Sequence, residues 1–163
     1  MAIVIGLVLP VDLVKSASVA YLHYLSFMIC FGALIYERVS LKPEPNRKEA
    51  ISLVVADIVY GIAGVVLLLT GIYRVIRFGQ GSEFYTQNPV FWTKIIIFAL
   101  VGSLSVYPTI TYVLWAIPLS KGALPEVSLN LVSRLRLIVN IELIGFASIP
   151  LFASLMARGV GLS

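Results

Sequence analysis

Four long apolar stretches constrain the fold of this chain more than any other feature of its sequence. Together they carry only two acidic or basic residues, Asp57 and Glu142. The stretches are Ser16–Tyr36, Ala50–Tyr73, Ile95–Ile117 and Leu137–Ala157. Each is roughly 20 residues long, which at about 1.5 Å per residue crosses a hydrocarbon core about 30 Å thick. They predict four transmembrane helices, over about 13–38, 50–75, 90–116 and 133–157.

The composition excludes a water-soluble helical bundle. Hydrophobic residues make up 60% of the chain and charged residues only 12%, with a mean hydropathy of +1.00. A soluble bundle of this size needs a polar stripe along every helix, and these residues cannot supply one. A membrane β-barrel is excluded as well, because barrels require short alternating strands. We therefore predict an all-α fold, a single four-helix transmembrane bundle over residues 1–163, with the lipid bilayer as its surroundings.

The basic residues indicate an orientation but no nucleic-acid partner. The net charge is +4, yet lysines and arginines lie in connections and at helix ends rather than along a continuous basic face. Seven of the 12 fall on the side of the first and third connections: Arg38, Lys42, Arg47, Lys48, Lys121, Arg134 and Arg136. The positive-inside rule places this side in the cytoplasm. We expect a multi-pass protein of a bacterial membrane with both termini on the non-cytoplasmic side.

Small and polar residues recur at helical spacing and indicate which helix faces point inward. In the second stretch they are Asp57, Gly61, Gly64, Leu68, Gly71 and Arg74. His23 and Lys94 lie on similar stripes of the first and third stretches. Small residues let membrane helices approach closely, and a charge at the bilayer centre costs about 2.5–3.5 kcal/mol. We expect these stripes to face neighbouring helices. Trp115, at the far end of the third stretch, is expected at the headgroup level.

Asp57 and Glu142 are acidic residues within the membrane, and they have two interpretations. In the first, each carboxylate pairs with a nearby arginine or with a hydroxyl of the third helix and fixes the packing. In the second, the two carboxylates form a proton relay or an ion site. The second interpretation belongs to a transporter or channel, which would oligomerise because four helices are few. The spacing of the two residues does not decide between these interpretations.

His23 is the only histidine of the chain and the residue that most directly indicates chemistry. A neutral imidazole can ligate haem iron or shuttle protons. Lys94, Arg74 and Arg77 lie toward the same side of the membrane and suit the carboxylates of a tetrapyrrole or a lipid phosphate. The alternative is a packed histidine bonded to Ser26 or a backbone carbonyl, with the basic side chains extended to water. A single histidine excludes bis-histidine haem ligation within one chain.

Several segments resemble an uncharacterised family of small four-helix bacterial membrane proteins. The segments are Tyr21–Glu37, Asn88–Lys94, Ser105–Thr109 and Met156–Gly161. The resemblance covers nearly the whole chain, and it implies the four-helix fold. It implies no particular activity.

A fainter similarity connects the chain to the HemJ-type protoporphyrinogen oxidases and the CopD-like copper-resistance membrane domains. It is carried by Leu22-His23 and the stretch from Gly32 to Tyr36 in one helix, and by Trp92 and Lys94 at the start of another. In the HemJ type this histidine is associated with haem b and this lysine with activity. The similarity implies the same roles for His23 and Lys94.

Three functions remain, and each predicts a different measurement. A protein that binds haem b or another tetrapyrrole through His23 shows an absorption band that His23→Ala removes. A non-catalytic accessory or assembly subunit, in a homo-oligomer or a larger membrane complex, co-purifies with a partner and has no cofactor of its own. A transporter loses its flux in Asp57→Asn. We favour the cofactor function, because His23, Arg74 and Lys94 share one side of the membrane.

Overall fold

Four long helices form the molecule, as the apolar stretches predict. The computed structural model describes residues 10–79 and 82–161, and within them it contains five helices and no strand. The helices are α1 Val11–Ser40, α2 Arg47–Arg77, α3 Ser82–Thr86, α4 Pro89–Ser120 and α5 Leu129–Ala157. All but α3 are long and apolar enough to cross a membrane. The predicted all-α transmembrane fold is confirmed, and the long helices extend a few residues beyond most of the expected bounds.

Local capping chemistry determines where the helices begin. At α2, the Asn46 side chain accepts from the backbone N–H of Glu49, and the Glu49 carboxylate accepts from the backbone N–H of Asn46. This capping box satisfies donors that have no partner within the helix. Asn88 caps α4 through the backbone N–H of Val90, and its side-chain amide donates to the carbonyl of Val160. The buried Asn88 therefore also ties the end of the chain to the start of α4.

The four long helices pack as a ring in which the backbone of each lies close to two others. Helix α1 lies between α2 and α5, and α4 also lies between α2 and α5. In the diagonal pairs α1–α4 and α2–α5 the described backbones do not approach closely, and side chains meet at the centre of the ring. Side chains that point to the centre of the ring can therefore come together from all four helices.

Aromatic side chains fill the middle of the bundle. The buried Phe146 ring lies 5.4 Å from the Phe27 ring, 6.2 Å from the Tyr60 ring and 6.4 Å from the Phe98 ring, measured between centroids. Because these four rings come from α5, α1, α2 and α4 in turn, they close the centre of the ring of helices. We call them the aromatic layer. The bundle has two polar regions, one on each side of the aromatic layer.

Two expectations about side-chain direction are wrong. On α2 the buried face contains Ala63, Leu67 and Thr70, whereas Gly61 is exposed and Leu68 is 46% exposed. Apolar side chains suit the lipid as well as the helix contacts, so small residues alone do not identify the inner face. The ring of Trp115, expected as a headgroup anchor, points into the bundle, because it is 4% exposed and packs against Tyr112.

Candidate functional sites

His23 is held by the neighbouring helix α2 through one of its two ring nitrogens. Its Nδ1 lies 3.1 Å from the carbonyl oxygen of Leu67 and 3.0 Å from the hydroxyl oxygen of Thr70. A carbonyl can only accept, so this contact places the proton on Nδ1 and leaves a lone pair on Nε2. Gly71 provides the space for the ring, since a Cβ there would lie 3.1 Å from His23 Cε1.

Two basic side chains lie close to His23. Arg74 of α2 and Lys94 of α4 are near enough to His23 and to each other for their charges to interact. The Arg74 guanidinium lies 5.0 Å from the Tyr24 ring centroid and donates to the Tyr24 hydroxyl at 3.3 Å. The Lys94 ammonium lies 5.1 Å from the centroid of Phe91. Within the described residues, neither cation forms an ion pair with a carboxylate.

The basic region thus assembles three of the four residues that the sequence assigns to cofactor binding. His23, Arg74 and Lys94 come from α1, α2 and α4 and meet on the side of the bundle that holds the chain termini. Arg77, the last residue of α2, is exposed at the same end. We call His23, Arg74 and Lys94 the basic site. Two anionic groups of one ligand could contact its two cations while His23 Nε2 coordinates a metal.

A second polar region, on the other side of the aromatic layer, consists of acids. Glu37 of α1, Asp57 of α2 and Glu142 of α5 are 1%, 5% and 0% exposed, and the carboxyl groups of all three interact electrostatically. Tyr112 of α4 is fully buried beside them. We call these four residues the carboxyl cluster. Each long helix contributes one member.

Most polar atoms of the carboxyl cluster have no hydrogen-bond partner. Asp57 accepts a hydrogen bond from the Thr109 hydroxyl at 2.8 Å. Both carboxyl oxygens of Glu142, Oε1 of Glu37 and the hydroxyl of Tyr112 are buried and unpaired in the described structure. Buried polar groups in proteins are nearly always hydrogen-bonded, so unpaired groups in one place require a physical explanation.

The arginines near the carboxyl cluster donate hydrogen bonds to groups outside the cluster. Arg38 donates to Asn140 Oδ1 at 2.5 Å, and Arg136 donates to the carbonyl of Leu41 at 2.6 and 3.2 Å. Among the two ranges of described residues, the ion pair that forms is Lys42–Glu49, at 2.7 Å. The pairing expected from the sequence is therefore found for Asp57 with a hydroxyl of α4. Neither Asp57 nor Glu142 pairs with an arginine.

Sequence reasoning missed two members of the carboxyl cluster. Glu37 lies next to Arg38 at the end of an apolar stretch, which is typical of a solvated charge pair, but its side chain points into the bundle. Tyr112 was assigned no role from the sequence. One signal could have identified Glu37: it follows Cys30 and Ala33 at spacings of three and four, which continues the buried face of α1.

Neither region is an evident metal centre or an enclosed pocket. Among the described residues, no group of three or more His, Cys, Asp or Glu side chains is arranged to hold a metal ion. Open cavities lie between α2 and α4 near Leu119 and between the connections near Pro45 and Pro125, and neither of these includes His23 or Glu142. Tetrapyrrole ligation needs only one protein side chain at the iron, so this absence leaves the basic site available for it.

A comparison with known protein families identifies the chain's relatives. A family model described as "Predicted membrane protein (DUF2214)" matches residues 15–161, which is most of the chain and includes all the residues of both polar regions. No curated protein and no solved structure matches. The match confirms the resemblance to a family of small membrane proteins that the sequence segments indicated. The chain belongs to the DUF2214 family of predicted membrane proteins.

Proposed function

We propose that this multi-pass membrane protein binds haem b or a related tetrapyrrole at the basic site. His23 would be the axial ligand, and Arg74 and Lys94 would hold the carboxylates of the macrocycle. The observation that carries the proposal is the contact between His23 Nδ1 and the carbonyl of Leu67. Haem-ligating and metal-ligating histidines commonly donate Nδ1–H to a carbonyl, which fixes the ring and frees Nε2 for the metal.

The charges of the basic site suit such a ligand. A tetrapyrrole with carboxylate side chains is apolar over its ring and anionic at its edge. Arg74 and Lys94 lack a carboxylate partner in the described chain and lie beside aromatic rings. Arginine and lysine make charge-assisted hydrogen bonds to carboxylates, which are about twice as strong as neutral ones. Arg77, exposed at the same end, adds positive charge around the basic site.

Haem bound at His23 would supply one-electron redox chemistry. His23 would hold the group, while the two cations would orient it and raise its affinity. No second histidine is available in the chain, so the bound iron would have one histidine ligand from this protein.

An absorption spectrum of the detergent-purified protein, oxidised and reduced, tests the proposal. We expect a Soret band that shifts on reduction and that His23→Ala removes. Added imidazole should partly restore the band in His23→Ala, because it supplies the missing ligand. Tyr21→Phe is the matched control, since Tyr21 lies on the same helix two residues away but is 66% exposed. A protein that takes up no haem when supplied with it, or an identical band in His23→Ala, contradicts the assignment.

A second candidate function is an accessory subunit of a larger membrane complex or a homo-oligomer. The exposure of α4 favours this function. Only 6% of an 18-residue apolar segment of α4 is buried within the protein, against 17–28% for the corresponding segments of the other spanning helices. The check is native purification in mild detergent, followed by mass determination. A larger assembly without any cofactor favours this function, and a haem-containing monomer rejects it.

We further propose that both termini lie on the non-cytoplasmic side. Seven basic residues on the side of the α1–α2 and α4–α5 connections support this orientation. A reporter fused to the C-terminus, active only in the cytoplasm, should be inactive. An active reporter would place the C-terminus in the cytoplasm and contradict the proposed orientation.

A further inference from the structure

The members of the carboxyl cluster lie toward the face of the α1–α2 connection. Glu37 lies three residues before the end of α1, and Tyr112 lies eight residues before the end of α4. Asp57 and Glu142 lie ten and 13 residues into α2 and α5. The helices begin and end at different heights, since Arg38 of α1 donates to Asn140 of α5. The four members therefore share one level of the bundle, on the side of the aromatic layer that faces this connection.

These carboxyl groups cannot all be ionised. Burying an isolated carboxylate is so unfavourable that such a group takes up a proton instead, unless a cation or several hydrogen bonds stabilise the charge. Glu142 has neither, since both of its oxygens are unpaired. Three carboxyl groups that interact with one another raise the cost of each further negative charge.

The charged and titratable groups around the cluster leave its acids without compensation. On α1 and α5 the arginines Arg38 and Arg136 donate to Asn140 and to the Leu41 carbonyl instead. On α2 Tyr60 interacts electrostatically with Glu142 and Glu37 of the cluster and with the buried thiol of Cys30. The Cys30 Sγ donates to the Tyr60 carbonyl at 3.7 Å. On α4 Tyr112 and Thr109 are neutral. No basic side chain balances the carboxyl groups within the described residues.

Tyr112 provides an observation independent of the acids. Its hydroxyl is fully buried, meets the geometry of a hydrogen bond with no described residue and lies within reach of the Glu37 carboxyl group. A phenol is both a donor and an acceptor, so it can receive a hydrogen bond from one protonated carboxyl and donate to another. A buried hydroxyl without a hydrogen bond lowers the stability of the fold, unless a protonated partner forms that bond with it. The hydroxyl and the acids together form a chain of groups that can exchange a proton.

We propose that the carboxyl cluster is a proton-exchange site. A carboxylate takes up a proton from the face of the α1–α2 connection and becomes a neutral acid, and the reverse step returns the proton to that face. The ligand is the proton rather than a metal ion, because no three acids in the described structure are arranged to hold one. The proposal does not depend on the tetrapyrrole.

Infrared spectroscopy of the protein reconstituted in lipid vesicles tests the site directly. The wild type should show the carbonyl band of protonated carboxyl groups at neutral pH, and the band should shift in D2O and decline as the pH is raised. Glu142→Gln should lose the contribution of one carboxyl group while the protein keeps its fold. Glu126→Gln is the matched control, since Glu126 is an exposed acid of the α4–α5 connection. Its spectrum should match the wild type.

A second variant keeps the test decisive if Glu142→Gln fails to fold. Tyr112→Phe preserves the ring and removes only the hydroxyl, and it should shift the pH at which the remaining band declines. Identical titrations in wild type, Glu142→Gln and Tyr112→Phe overturn the proposal. A band that sodium ions abolish at constant pH also overturns it, because the site would then bind a cation in place of the proton.

Discussion

The two polar regions of this bundle accommodate their charged groups in opposite ways. In the basic site the long side chains of Arg74 and Lys94 lie against aromatic rings, and Arg74 also reaches a hydroxyl. In the carboxyl cluster the shorter side chains of Glu37 and Glu142 end among buried groups and find no cation. Long cationic side chains can move toward polar surroundings near the membrane surface, whereas acids at depth can avoid a charge only by binding a proton. This contrast is the physical basis of the two proposals, a ligand site on one side and a proton site on the other.

The aromatic layer keeps the two regions apart, and breaking it has the largest expected effect. Phe146→Ala should lower the free energy of unfolding by about 3–5 kcal/mol, as for other buried aromatic residues. The cost arises because Phe146 contacts rings from all three other long helices. Thermal unfolding in detergent measures it, and Phe84→Ala, in the short helix α3, is the control. Equal stability of the Phe146→Ala variant and the wild type would show that the layer is not a structural core.

A pair of glycines on α2 sharpens the comparison at the basic site. Gly71→Ala places a methyl group 3.1 Å from His23 Cε1, so the ring, which Leu67 holds from the other side of Nδ1, must move by a few tenths of an ångström. We expect a loss of about 1–3 kcal/mol in the free energy of unfolding, as for other overpacked positions. Gly61→Ala meets nothing within 4 Å and should be neutral, or more stable by up to about 1 kcal/mol.

The same glycine pair also separates stability from binding. Gly71→Ala should weaken or remove the Soret band, and Gly61→Ala should leave it unchanged. If the two variants bind haem equally, the position of the His23 ring is unimportant for the ligand. If neither changes stability, the contact between His23 and α2 is looser than the structure shows.

The outcome for glycine positions shows what the sequence could and could not predict. Length and apolarity of the four stretches were sufficient for the fold, because a bilayer leaves few alternatives for such a chain. It was harder to predict from the sequence which face of each helix points into the bundle. A Cβ added at Gly71 or Gly145 would contact a side chain of another helix. One added at Gly61, Gly64 or Gly102 would meet nothing within 4 Å. Lipid and protein interior are both apolar, so the usual contrast between inner and outer faces is absent.

The two polar regions differed in how far the sequence revealed them. The sequence alone groups His23, Arg74 and Lys94, because each carries an unusual polar group within or beside an apolar stretch. Glu37 was not recognised, because a charge at the end of a stretch is normally solvated. Only the packing of α1 against α2 and α5 shows that its carboxyl group is 1% exposed.

The cations of the basic site should contribute to ligand binding more than to folding. Lys94→Gln should lower the affinity for haem about tenfold, which corresponds to about 1.4 kcal/mol and to one charge-assisted hydrogen bond. Titration of the apoprotein with haem, followed by absorption, measures the dissociation constant. Lys121→Gln, on the opposite side of the bundle, is the control and should bind as the wild type does. Equal weakening in both variants would indicate a general charge effect rather than a contact.

Two threonines, the buried Thr70 and the half-buried Thr109, give the most balanced comparison between the regions. Thr109 donates to Asp57, which has no other donor among the described residues, whereas Thr70 lies beside His23 Nδ1, which also contacts the Leu67 carbonyl. Thr109→Val preserves the shape and leaves a buried carboxyl oxygen unpaired, so we expect a loss of roughly 1 kcal/mol in the free energy of unfolding. Thr70→Val leaves His23 with its carbonyl partner and should cost less. Chemical denaturation of both variants in the same detergent decides the order. If Thr70→Val is the more harmful, the hydroxyl rather than the carbonyl holds the imidazole, and the tautomer that frees Nε2 loses its support.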